Sequence, residues 1–244
     1  MSRNKRKVIS GICLLVLLAS AGYLGVYYRG QHKQAQAYQR IAADAKTKDT
    51  KPESLVDFEK LQGLNPDIYA WITIPDTVVD YPVLQSGSEN QEYYLYTTAE
   101  GVYGDAGAIF TQNYNAKDFT DKNTLIYGHD MDDGSMFGAL DLFLNEDYMK
   151  AHPEIFIYTP EHIFTYQVFA AVTYDDRHIL QNFDFNDDAA YQAYLDSLHN
   201  AKSLNTYWNP NVQVNVGERM ITLSTCNLYA DQRFLLGAVL VNEK

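Results

Sequence analysis

From Val8 to Tyr28 the sequence VISGICLLVLLASAGYLGVYY carries no charged side chain. A core helix of a soluble domain keeps a polar face, and this run has none. As a helix it spans roughly 31 Å, close to the hydrocarbon thickness of a bilayer. Arg3, Lys5, Arg6 and Lys7 precede it, Tyr27 and Tyr28 suit an interface, and Arg29 closes it. The basic flank predicts a cytoplasmic N-terminus and an extracellular remainder. The alternative is a cleaved signal peptide, but the run is long for one. Its small-residue triplet, Ala19-Ser20-Ala21, lies inside the run rather than after it. The expectation is therefore an uncleaved, single-pass anchor.

Charge divides the chain at the same place. Four of the 19 Lys and Arg residues lie before Tyr28, and none of the 31 Asp and Glu residues does. The chain beyond Tyr28 is thus more acidic than the whole, whose formal charge is −12. Such a domain is a poor partner for nucleic acid, and an anionic membrane surface repels it unless a spacer holds it off. Residues 30–67 read as that spacer. They are polar until Leu55, Phe58 and Leu61, whose spacing predicts a short amphipathic helix docking on the domain. Pro52 is expected to break the stalk before it.

From Tyr69 onward the chain is long enough for one domain with a real core. AWITIP, VVDYPVL, EYYLYTTA, GAIFTQ, NTLIYGH, EIFIYTP, IFTYQVFAAVTY, MITLSTC and RFLLGAVLV are short, rich in β-branched and aromatic residues, and punctuated by Gly, Pro, Asn and Asp. EIFIYTPEHIFTYQV reads as a hairpin turning at Pro160-Glu161-His162. Residues 186–203 read as a helix capped by Asp187 or Asp188, with Ala190, Tyr194 and Leu198 on one face. A second short helix is placed within 136–152. Many short strands with one or two inserted helices predict a mainly β fold, a closed barrel or a sandwich.

The two cysteines are Cys13, inside the apolar run, and Cys226. In an exported domain Cys226 has no partner, and a leftover extracellular thiol points to an intermolecular bond or a reactive group. ITLSTC and RFLLGAVLV flank a short linker, Asn227–Asp231. A hairpin there makes Cys226 and Arg233 neighbours. A guanidinium beside a thiol favours the thiolate and can hydrogen-bond an oxyanion. A cysteine nucleophile also needs a base, most often His. Of six histidines, His32 lies in the stalk, His162 in a turn and His199 late in a helix; His152 and His178 lie in loops. His129 ends an apolar strand in NTLIYGHDMDDGSMFG, a position suited to a catalytic group on a rigid scaffold. The bland readings are a buried small hydrophobe for Cys226, a loop cap for His129 and a packing arginine for Arg233. HDMDDG also invites a calcium loop, but Gly134 and Ser135 stand one out of register for it, and zinc lacks ligands.

With these residues in view, the chain resembles the sortases, membrane-anchored cysteine transpeptidases of Gram-positive bacteria. TLSTC at 222–226 matches the family's TLxTC signature, with Arg233 shortly after it and His129 well upstream. GLNPDIYAWITIPDTVVDYPVLQ, ENQEYYL, GAIF, NTLIYGHDMDDGSMFGAL and the late helix resemble the class B pattern, over roughly residues 57–244. The resemblance implies a sortase-type closed β-barrel with an N-terminal helical extension and a helix inserted between late strands. It divides the chain into a basic tail and anchor (1–28), an extracellular stalk (29–56) and a catalytic domain (57–244). Cys226 would be the nucleophile, His129 the acid and base, and Arg233 the group steadying the substrate carbonyl or oxyanion. Asn90, Tyr127, Ser224 and Thr225 would contact substrate, with sheet packing or a loop hydrogen bond as the bland reading of each. No metal or cofactor is implied. The implied partners are an NPxTx-like or LPxTG-like sorting peptide of a secreted protein and a peptidoglycan amine. The alternatives are a class B-like pilus-assembling enzyme, a hydrolytic cysteine peptidase, and a non-catalytic surface module.

Overall fold

A computed structural model describes residues 3–46, 55–201, 206–226 and 232–244. The chain divides into two units, Met1–Arg40 and Ile41–Lys244. A single helix, α1 (Arg3–Ala45), contains the apolar run and continues through the polar residues after it. It is long and apolar enough to cross a membrane, and side chains such as Leu15 and Leu17 stand exposed along it. The expected break at Pro52 lies outside the described residues.

The short helix α2 (Phe58–Leu64) is capped by Asp57, whose carboxylate accepts from the Lys60 amide at 3.0 Å. Phe58 and Leu61 are buried, as their spacing predicts. Leu55 is not: it is exposed, and Val56 beside it is buried instead. Residue 55 precedes the helix, so the helical spacing does not reach it.

The strands are β1 (Ile68–Thr73), β2 (Asp80–Leu84), β3 (Ile109–Thr111), β4 (Asn123–Tyr127), β5 (Glu154–Tyr158), β6 (Ile163–Asp175), β7 (Thr206–Trp208), β8 (Met220–Cys226) and β9 (Gln232–Glu243). They form one sheet in the order β5-β1-β2-β3-β4-β8-β9-β6-β7, and a β5–β6 pairing closes eight of them into a barrel. Closure removes the free strand edges that invite aggregation. The β5–β6 hairpin turns where the sequence places it, with the Thr159 amide donating to the His162 carbonyl at 2.9 Å. β7 is not among the strands expected from sequence. Its three residues pair only with the outer half of β6, too short a run for a period-2 pattern to stand out.

β6 shows how the sequence encodes a change of surroundings. Burial alternates from Ile163 to Gln167, where one face meets solvent, and becomes continuous from Val168 to Val172. The helix α5 (Asp188–His199) covers the outer face there, and Phe169 and Val172 share a cluster with Tyr191, Tyr194, Leu195 and Leu198. Asp187 caps α5, accepting from the Ala189 and Ala190 amides. The buried face is centred one residue beyond the expected one, because Tyr191 rather than Ala190 packs inward. Its hydroxyl reaches the Glu218 carbonyl at 2.8 Å, which lets a large polar ring be buried. Residues 136–152 hold a 3-10 turn (Gly138–Leu144) and the short helix α3 (Glu146–Ala151).

EYYLYTTA is not a strand. Tyr93–Leu95 form a 3-10 turn with local hydrogen bonds, Tyr93 amide to Asn90 carbonyl and Leu95 amide to Glu92 carbonyl. Tyr94 alone is buried there, its hydroxyl donating to Asp67 at 2.7 Å. Aromatic content imitates strand propensity even where the backbone bonds locally.

Candidate active site

β4 and β8 are parallel neighbours at the centre of the sheet, so their C-terminal ends open on the same rim. Tyr127 pairs with Ser224, and the Gly128 amide donates to the Ser224 carbonyl at 3.2 Å. Carried on by two residues, this register aligns His129 with Cys226. On the other side of β8, Cys226 and Arg233 are direct partners in the antiparallel β8–β9 register. The β8–β9 pairing read from the sequence therefore exists, and the register brings His129, far upstream in the chain, to the rim where Cys226 and Arg233 pair. The Cys226 side chain and residues 227–231 lie outside the described residues.

Glycine at 128 is required by crowding. A Cβ there would come within 2.5 Å of the Ile109 side chain and 2.7 Å of the Phe137 ring. The chain can thus press against the core and release His129 toward the rim one residue later. The Phe137 amide donates to the His129 carbonyl at 2.9 Å, which fixes the backbone. The imidazole is half-buried. Its Nε2 lies 2.6 Å from the Leu95 carbonyl oxygen, and its ring centre 5.5 Å from that of Tyr96.

A groove of about 210 Å³ runs over this rim. Tyr127, His129, Ser224, Thr225 and Arg233 are among its lining residues. Ser224 and Thr225 are almost wholly buried, and the Thr225 hydroxyl finds no hydrogen-bond partner among the described residues. The Arg233 Nη1 donates to the Gln232 carbonyl at 2.9 Å. Burial holds the Tyr127 phenol well above its ordinary range, against the opposing pull of the Arg233 charge, so it stays protonated. Of the expected substrate contacts only Asn90 falls outside this lining. It is exposed, and its side-chain oxygen accepts from the Glu92 amide at 3.1 Å.

Further lining residues come from elsewhere in the chain. Glu92 and Leu95 form one part, and Asp175–Ile179, where β6 runs into the one-turn helix α4 (Ile179–Asn182), form another. Arg177 folds back on Asp175 with its Nε 2.6 Å from the carboxylate, which lowers the Asp175 pKa. His178, read from sequence only as a loop histidine, faces the groove. Its Nε2 lies 2.7 Å from Gln112 Oε1, and its Nδ1 is buried without a partner among the described residues. Burial pushes its pKa down, partly offset by a backbone hydrogen bond and by Glu92, so it is neutral at physiological pH. Nothing in the local sequence marks it, because its partner Gln112 follows a strand far upstream. The Leu95 carbonyl on His129 is equally hidden, since a backbone acceptor leaves no trace in side-chain type.

Among the described residues no group of three His, Cys, Asp or Glu side chains could hold a metal ion. Asp130, in the loop after His129, has its pKa raised to about 6, first by burial and then by Asp141 and Asp132.

The chain matches the sortase domain family over residues 72–241. It is 35% identical over 230 residues to sortase B of Listeria monocytogenes, covering 92% of this chain and 91% of that protein. Its fold is similar to the crystal structure of sortase B from Bacillus anthracis in complex with AAEK1, with a TM-score of 0.74 at 29% identity, covering 88% of this chain and 99% of that one. The Staphylococcus aureus sortase B–substrate complex is likewise similar, with a TM-score of 0.67 at 28% identity over 86% of this chain and 94% of that one.

Proposed function

This chain belongs to the sortase family of cysteine transpeptidases, and from that premise we propose that it cleaves a C-terminal sorting motif of secreted proteins and transfers them to a peptidoglycan amine. The Cys226 thiolate attacks the backbone carbonyl of the motif. Arg233 donates to the oxyanion as the C–S bond forms. His129, as imidazolium, gives a proton to the leaving amine nitrogen as the C–N bond breaks, leaving a thioacyl enzyme. It then takes a proton from the incoming amine, which attacks the thioester carbonyl and expels the thiolate. Tyr127, Ser224 and Thr225 contact the peptide from the strand side, and Asn90 meets only a peptide that runs past Glu92.

The observation that carries this reading is the strand register. Cys226 and Arg233 are cross-strand partners, and His129 follows β4 in step with Cys226 along β8. The apolar α1 supports a membrane anchor, and its basic N-terminal flank supports a cytoplasmic start with the catalytic domain outside.

The test is a transfer assay. The purified full chain is mixed with NPxTx-type and LPxTG-type peptides, with triglycine or a diaminopimelate peptide as acceptor. A mass corresponding to the peptide joined to the amine is the expected product and names the motif class. Cleavage to the free acid alone, at saturating amine, would replace transpeptidation with hydrolysis.

A further inference from the structure

The 93–108 segment reaches His129 from outside the catalytic strands, and its geometry singles out one ring nitrogen. A carbonyl oxygen only accepts, so the 2.6 Å contact between His129 Nε2 and Leu95 O requires the proton on Nε2. We propose that the Leu95 carbonyl, held by Gly107 and flanked by Tyr96, is the positioning device that fixes the His129 tautomer and leaves Nδ1 as the atom that carries the transferred proton. This rests on the transpeptidase reading above.

Three observations make Leu95 O a fixed point. The Leu95 amide donates to the Glu92 carbonyl at 2.9 Å and the Ala108 amide to the Tyr94 carbonyl at 2.9 Å, which pins both ends of the Tyr94–Leu95 peptide immediately before it. Gly107, at a φ of +54°, lies directly against them. A Cβ there would overlap the Leu95 carbonyl oxygen and come within 2.6 Å of the Tyr94 carbonyl oxygen, so only glycine leaves that acceptor in place. Tyr96 then sets its ring beside the imidazole, tilted by 42°, and Tyr103 stacks on Tyr96 with ring centres 6.3 Å apart. A bridge between Thr97 and Tyr103 and a Gly104 amide to Tyr96 carbonyl bond at 3.0 Å close the loop that holds both tyrosines.

Protons balance over the two half-reactions. The imidazolium keeps its Nε2 proton on Leu95 O throughout. Its Nδ1 proton passes to the leaving amine nitrogen as the C–N bond breaks, leaving a neutral ring with a bare Nδ1. That lone pair takes the proton of the incoming amine as it attacks the thioester and restores the imidazolium. A ring free to rotate would lose part of its encounters to the wrong nitrogen, and misplacement by about 1 Å costs up to about 100-fold.

The experiment is nitrogen NMR on the full chain in mild detergent, with ring-labelled histidine and His129 assigned by its loss in His129→Gln. The expected result is a downfield, slowly exchanging proton coupled to His129 Nε2, lost in Gly107→Ala. A neutral ring carrying its proton on Nδ1, or no protected proton on Nε2, overturns the proposal. Because Gly107→Ala strains the backbone, the half-exposed Tyr96 supplies a second test that does not depend on it. Tyr96→Ala is expected to lower kcat about tenfold with the peptide KM unchanged, and Tyr96→Phe, which keeps the ring, to restore it. Native kcat in Tyr96→Ala overturns the part assigned to Tyr96. The protected Nε2 proton in a chain that acylates with no peptide would instead sink the substrate reading and leave the ring geometry standing.

Discussion

The lining of the groove is built in two ways. One is sheet: Tyr127, Ser224, Thr225 and Arg233 stand on strands whose register is set by neighbours on both sides. The other is loop: Glu92, Leu95 and residues 176–178 rest on turns, a one-turn helix and a few side-chain bonds. A strand position cannot shift without breaking a ladder, whereas a turn can be re-aimed by one substitution. Cys226 and Arg233, the proposed nucleophile and oxyanion donor, stand on strand ladders, whereas His129 follows the end of β4 and meets the Leu95 carbonyl of a turn.

Substitutions can break this comparison in order of effect. Cys226→Ala should reduce turnover to background, a loss on the order of 10⁶-fold, with the melting temperature nearly unchanged because the change is small. Peptide cleavage assays and thermal melts check both. Arg233→Lys should cost about 10²- to 10³-fold in kcat/KM, since an ammonium cannot reproduce the guanidinium fork. Near-native turnover in that variant would remove Arg233 from its role. On the loop side, His178→Ala should raise the peptide KM roughly fivefold, the worth of one hydrogen bond, and leave kcat alone. A kcat loss as large as that of Arg233→Lys would erase the distinction between the two sides.

The smallest effect is on stability. Folding raises the Asp130 pKa to about 6 from 3.8, so the folded chain binds more protons than the unfolded one between those values. Stability contributed at this residue is therefore present at low pH and lost as pH rises from about 4 to 6. Asp130→Asn should stabilise the chain at pH 7 by about 1 kcal/mol, after discounting for the solvent that screens a half-exposed carboxyl, and by nothing at pH 4. Denaturant melts at the two pH values test it.

The same contrast governs what the sequence discloses. Strand residues announce themselves through β-branched and aromatic runs between turn formers, so the barrel strands β4, β8 and β9 and the Cys226–Arg233 pairing are legible from NTLIYGH, ITLSTC, RFLLGAVLV and the short linker. The sortase fold is legible too, through TLSTC with its upstream histidine. The loop side is not. YYL looks like a strand but forms a 3-10 turn, closed by local bonds from the Tyr93 and Leu95 amides to the Asn90 and Glu92 carbonyls. The spacing of Leu55 predicts burial, yet Val56 takes its place ahead of the helix. Tyr191 packs inward because its hydroxyl finds a carbonyl, a fact of tertiary structure. His178 gains its meaning from Gln112, and His129 from the Leu95 carbonyl, neither visible as a local pattern.

The most direct measurement is the intact mass of the full chain after a short exposure to sorting-motif peptides without acceptor amine. The account predicts an acyl adduct on Cys226 that hydroxylamine removes, that is absent in Cys226→Ala, and that disappears when triglycine is added as the joined product forms. No adduct with any peptide of either motif class, together with a Cys226 thiol that resists alkylation in the folded protein, would contradict it.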